Sequence, residues 1–169
     1  MTRDVNTHVR RGHPITLGLM ILFAIIELSL SAWLTSKFNH FHNYRTLSER
    51  DRVRFTLFTS TWTVVWAALL LILFAHSATG SMLTSVLAHL VVLGFTWLLW
   101  TAAAAAVTDM LGGGLNCKLE DAFAYCNQLN ALEAFAWIEW LLCTFAIIVV
   151  LWRGISSARS GNGYRGSLV

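Results

Sequence analysis

Four apolar runs decide what this chain can become: roughly residues 14 to 38, 54 to 76, 81 to 111 and 129 to 152. Each is long enough to cross the hydrocarbon of a bilayer, for which a helix needs about 20 residues. Inside hydrocarbon every backbone N–H and C=O must find its partner within the segment, so runs of this length and polarity are read as helices. What remains of the 169 residues is short: a polar stretch over 1–13, an Arg-rich segment over 39–53, a turn at Ala78-Thr79-Gly80, a loop over 112–128 and a tail over 153–169. The expected fold class is therefore an all-α membrane protein, one antiparallel four-transmembrane-helix bundle without a soluble catalytic domain. The brief turn at 78–80 makes the second and third spans antiparallel neighbours. Pro14 is expected at the first helical position of span one, where its missing N–H costs nothing. Arg153 and Gly154 are expected to end span four. The first run, about 25 residues without a cleavage site after a short core, reads as a retained signal anchor.

Composition narrows the function classes. The net charge of +3 is small and the arginines are spread over tails and one loop, which argues against nucleic acid and for lipid head groups, with Arg10, Arg11, Arg153 and Arg159 as the contacts. No Asn-x-Ser/Thr acceptor and no internal repeat occur, which counts against a glycosylated protein and a duplicated transporter. Lys and Arg fall six on each side of the four spans, so the positive-inside rule leaves orientation open. The cysteines supply the missing argument. Cys117 and Cys126 share the loop between spans three and four, close enough in sequence to be bridged, the alternative being two free thiols. Disulfides persist outside the cytosol, so a bridge there places both termini in the cytosol. Cys143 lies within span four, where it is expected to pack as a small apolar residue.

Within the spans, small and polar residues recur at helical spacing. Thr16, Met20, Ala24, Glu27, Ser31 and Thr35 line one face of span one, and Thr56, Ser60, Thr63 and Ala67 one face of span two. Ser85, His89 and Thr96 do so in span three, which also holds the close-packing run Ala102 to Ala106, and Leu132, Ala136, Glu139, Cys143 and Ala146 in span four. Such stripes face a bundle interior, because small residues let helices approach and hydroxyls bond across the seam. Glu27 and Glu139 then sit near mid-membrane with no Lys or Arg beside them in sequence, and hydrocarbon cannot be their immediate surrounding. Two readings stand. In the structural one, which we take first, neutral glutamic acids bridge helices by hydrogen bonds to Ser31, Thr63 or an indole. In the functional one, they form a proton or ligand site. His89 lacks the second axial histidine that a b-type haem needs, and His40-x-His42 lacks the further ligands of a zinc site, so no metal is expected. Asp109 and Glu133 read as water-reached interfacial acids, and Trp137, Trp140 and Trp152 as belt and packing residues.

With four spans, short tails, the Cys117/Cys126 pair and the runs RVRFTLFTSTWTVVW and GGGLNC…AYCNQLNALEAFAWIEW, the chain resembles the MARVEL domain over residues 12–153, most like its fungal members. The resemblance implies a left-handed four-helix bundle with cytosolic termini at membrane appositions, vesicles or plasma-membrane microdomains, and carries no catalytic residues. The tails here are shorter than those through which relatives often recruit partners. The expected function is a non-enzymatic membrane organiser that associates laterally with itself as a homo-oligomer and with lipids, needing no cofactor beyond a bound lipid or sterol. Two alternatives are a small proton-linked transporter using Glu27, His89 and Glu139, and an accessory subunit paired with other membrane proteins.

Overall fold

The computed structural model of the chain describes residues 2–76, 86–118 and 123–159. They form α1 (Thr2–Phe41), α2 (Leu47–His76), α3 (Val86–Leu111) and α4 (Cys126–Arg159). Each contains a stretch long and apolar enough to cross a membrane: Pro14–Phe41, Leu47–Leu73, Leu87–Leu111 and Cys126–Trp152.

The helix ends follow from local chemistry. Pro14 lies inside α1 rather than at its start, so helical backbone precedes the apolar stretch and only the apolar part begins there. His42, at φ 53°, turns the chain out of α1 while its N–H donates to the Phe38 carbonyl at 3.0 Å. The Arg-rich segment is not the loop expected over 39–53, because α2 already starts at Leu47. Thr46 caps it: its hydroxyl accepts the Glu49 N–H at 3.1 Å, and the Glu49 carboxylate reaches back to the Arg45 N–H at 2.6 Å. Those are the two halves of a capping box, here shifted one residue at its return arm. At the end of α3, Gly112 (φ 72°) and Gly113 (φ 91°) adopt the left-handed backbone that favours glycine, and both N–H groups donate to the Thr108 carbonyl. Arg153 and Gly154 do not stop α4, which runs on to Arg159.

Cross-helix contacts establish the topology. In α1 and α2, Asn39 meets Arg54, while Leu17 and Met20 share a cluster with Ala67 and Leu70. In α2 and α3, Trp62 meets Thr96 and Arg52 meets Asp109. In α3 and α4, Trp97 meets Thr144 and Trp137 meets Thr108. Between α4 and α1, Phe135 meets Phe23, and Tyr125, the residue before α4, meets Trp33. In each pair one number rises as the other falls, so every neighbouring pair is antiparallel and the helices close into a ring. Two apolar clusters fill its ends. One joins Leu17, Met20, Leu70, Leu93, Ala146 and Val150; the other joins Leu34, Phe38, Val53, Val107, Leu129 and Leu132. Large apolar side chains such as Leu22, Phe58, Ile72, Leu98, Phe145 and Ile148 point outward, as a bilayer solvent requires.

Candidate functional site

Between the two end clusters, buried polar side chains lie beside a third, smaller apolar cluster of Trp100, Ala103, Ala104 and Ala136. Glu27 and Ser31 of α1, Thr56, Thr59, Ser60 and Thr63 of α2 and Glu139 of α4 are all buried, and the Trp100 indole of α3 is fully enclosed. The hydroxyls are satisfied along their own helices. Ser31 donates to the Glu27 carbonyl at 2.7 Å, Ser60 to Thr56 at 3.0 Å and Thr63 to Thr59 at 2.9 Å. This back-bonding lets a hydroxyl lie in an apolar helix without stranding its proton.

The carboxyl groups are different. By distance and angle none of the four carboxyl oxygens of Glu27 and Glu139 meets a described hydrogen-bond donor, although the Ala24 backbone N–H lies near enough to Glu139 to act on its charge. The expected bridge to Ser31, Thr63 or an indole does not form, because those donors are already used elsewhere. Glu139 lies against the backbone of Ala24, one turn before Glu27, and the two carboxyls are within electrostatic reach of each other. Glu27 and Glu139 are thus both buried in the stretch of α1 and α4 between the end clusters, and this stretch is the candidate layer. His89 is buried on α3, but eleven residues before Trp100, roughly 16 Å along the helix at 1.5 Å per residue, and does not join that layer. Cys143, one turn after Glu139, is buried, free and directed at the Leu93 carbonyl at 3.3 Å.

What holds α2, α3 and α4 together is a set of indoles that the residue pattern alone did not single out. Trp62 donates to Thr96, Trp97 to Thr144, Trp100 to Thr63, Trp137 to Thr108 and Trp140 to Thr101, all at 2.9–3.1 Å. Four of these threonines pass their own proton to the carbonyl four residues back, so each is oriented to accept. Trp137 and Trp140 are therefore interhelical donors rather than simple belt residues. The available signal was Trp followed four residues later by Thr on two facing spans, Trp97/Thr101 and Trp140/Thr144, which becomes meaningful only once the facing partner is known.

The end of the bundle that carries the 42–46 and 112–125 connections is tied separately. Cys117 and Cys126 are joined by a disulfide, Cα to Cα 5.6 Å, which anchors the loop to the first residue of α4. Asn130 holds the same loop by accepting the Leu115 N–H at 2.9 Å and donating to its carbonyl at 2.8 Å. Arg52 donates to the Ala106 carbonyl at 2.8 Å and pairs with Asp109 at 2.8 Å, clamping the end of α3. Arg45 stacks on Phe123 at 4.8 Å beside a shallow pocket of about 220 Å³ that Arg52 and Asp109 also line. Asp109 is exposed, whereas Glu133, expected to meet water, is buried because it falls on the inner side of α4. His40 and His42 are exposed, and among the described residues no group of three or more His, Cys, Asp or Glu could hold a metal. The backbones of Arg10, Arg11, Arg153 and Arg159 belong to α1 and α4, but their side chains, like the whole of Ser85, lie outside the described residues.

Comparison with curated proteins and with solved structures returned no match. The family model of the MARVEL membrane-associating domain matches residues 8–149. A match over that much of the chain agrees with the ring of four spanning helices, and the chain belongs to the MARVEL family.

Proposed function

We propose that the protein is a non-enzymatic membrane organiser, associating laterally with copies of itself and with lipids in the plasma membrane or endomembrane vesicles, with both termini cytosolic. One observation supports this reading above others. The indoles inside the bundle and the threonine hydroxyls that accept from them join α2, α3 and α4, while the outward faces of all four helices carry large apolar side chains. Such a molecule meets its surroundings through shape and apolar area, the means by which helices associate within lipid. The cytosolic placement of the termini is supported by the disulfide, whose chemistry belongs to the opposite side of the membrane.

The test is native mass spectrometry of the full chain released from lipid nanodiscs, reading copy number and every retained mass together. A defined homo-oligomer carrying phospholipid or sterol is the expected result. A monomer that retains a small polar solute, or a complex in which a single copy sits on a larger foreign membrane protein, would overturn the proposal.

A further inference from the structure

Lateral association makes no use of the two buried glutamates. Both are 0% exposed, they stand on α1 and α4 between the two apolar clusters, and their carboxyl oxygens receive no hydrogen bond from the described residues. A buried carboxylate in that condition must be neutralised by something.

Among the described residues no cationic side chain stands beside the two glutamates. Glu27 is the only titratable residue of α1 between His13 and Lys37, and Glu139 and Cys143 are the only ones of α4 between Glu133 and Arg153. α2 has none between Arg54 and His76, where Ser60 and Thr63 are buried, and α3 has none between His89 and Asp109, where Trp100 is buried. The Cys143 thiol is already directed at a carbonyl. A metal ion is a poor fit. Zinc takes about four ligands and calcium about six to eight oxygens, whereas this layer offers two carboxylates, and no group of three metal-ligating side chains occurs among the described residues. A proton needs no coordination shell.

We propose that Glu27 and Glu139 form a proton-binding site at the middle of the bundle, each carboxyl held as the neutral acid. The site lies in the α1–α4 seam. With protons bound, both side chains are compatible with the apolar clusters on either side. Their release would place two like charges on facing helices, and both repulsion and the demand for hydration would then act to open that seam. This inference stands independently of lateral association.

The experiment is infrared spectroscopy of the full chain in phosphatidylcholine nanodiscs at neutral pH. The expected spectrum contains a carboxylic-acid C=O band that shifts in heavy water, loses about half its intensity in Glu27→Gln or Glu139→Gln and disappears in the double variant. An acid band equally strong in the native protein and the double variant, or absent from both, would overturn the proposal. A second measurement needs no variant. Dicyclohexylcarbodiimide partitions into lipid and reacts only with a protonated carboxyl: the acid proton moves to one reagent nitrogen, the carboxyl oxygen bonds to the central carbon, and acyl migration gives a stable N-acylurea with nothing lost. A labelled native protein should carry the adduct on Glu27 or Glu139, with yield falling as the pH is raised. Labelling confined to acids at the ends of the helices, such as Asp51 and Asp109, would refute the site.

Discussion

Replacing Trp100 by Phe keeps an aromatic ring at the centre of the bundle and removes one donor. Trp100 is 0% exposed, and its indole N–H donates to the Thr63 hydroxyl at 2.9 Å. That hydroxyl cannot turn to compensate, since its own proton goes to the Thr59 carbonyl at 2.9 Å. In membrane proteins such interhelical bonds contribute about 0.6 kcal/mol on average and about 1.7 at most. The smaller ring also leaves a void of about 40 Å³, worth about 1 kcal/mol at about 24 cal/mol per Å³. Trp100→Phe should therefore cost about 1.5 to 2.5 kcal/mol. The two contributions separate in a double-mutant cycle with Thr63→Val, because the void is present in both variants that carry the Trp100→Phe substitution and cancels. The coupling should be about 1 kcal/mol. The assay is reversible unfolding in mixed micelles by titration with dodecyl sulfate, followed by near-ultraviolet circular dichroism. A coupling energy indistinguishable from zero would refute the argument that the indole N–H bond, rather than ring packing, ties α3 to α2.

Four other outcomes are expected. Cys117→Ser with Cys126→Ser opens a closure across a sequence separation of 9, which on the loop-entropy model removes at most about 2.5 kcal/mol, read as a shift in the same unfolding transition. Intact-mass analysis after alkylation of the denatured but unreduced native protein should show one modified thiol, Cys143, and three only after reduction. Arg52→Ala should destabilise by about 1 kcal/mol, because the Ala106 carbonyl loses a donor, whereas Asp109→Asn should cost about 0.5 kcal/mol or less, since Asp109 is 75% exposed and its ion pair is screened; unfolding at low and high salt checks both. Thr46→Ala removes the cap of α2 and should cost about 1 kcal/mol, with faster amide exchange confined to Leu47 through Arg50.

The helical membrane architecture was legible because lipid leaves a long apolar run few choices: it must satisfy its own backbone, and its polar residues must turn inward. That is why the stripe through Thr16, Met20, Ala24, Glu27 and Ser31 coincides with buried positions of α1, Thr35 at its end being only half-buried, and the stripe through Leu132, Ala136, Glu139, Cys143 and Ala146 with those of α4. Boundaries were less legible. The charged run Ser48-Glu49-Arg50-Asp51-Arg52 looks like a loop by hydropathy, yet a cap at Thr46 and the pairing of Arg52 with α3 let it form the first turns of α2. Glu133 looks interfacial by its distance along the chain, but its angular position on α4 buries it.

The sequence by itself determined four spanning helices and the inward faces that carry the two glutamates, because these depend on period and length along one chain. The tertiary structure alone decided which indole donates to which threonine and that neither buried carboxyl receives a hydrogen bond from the described residues, because those depend on which helices abut and at what relative height. Height and rotation are set by the packing of all four helices at once, and no single helix's periodicity contains them.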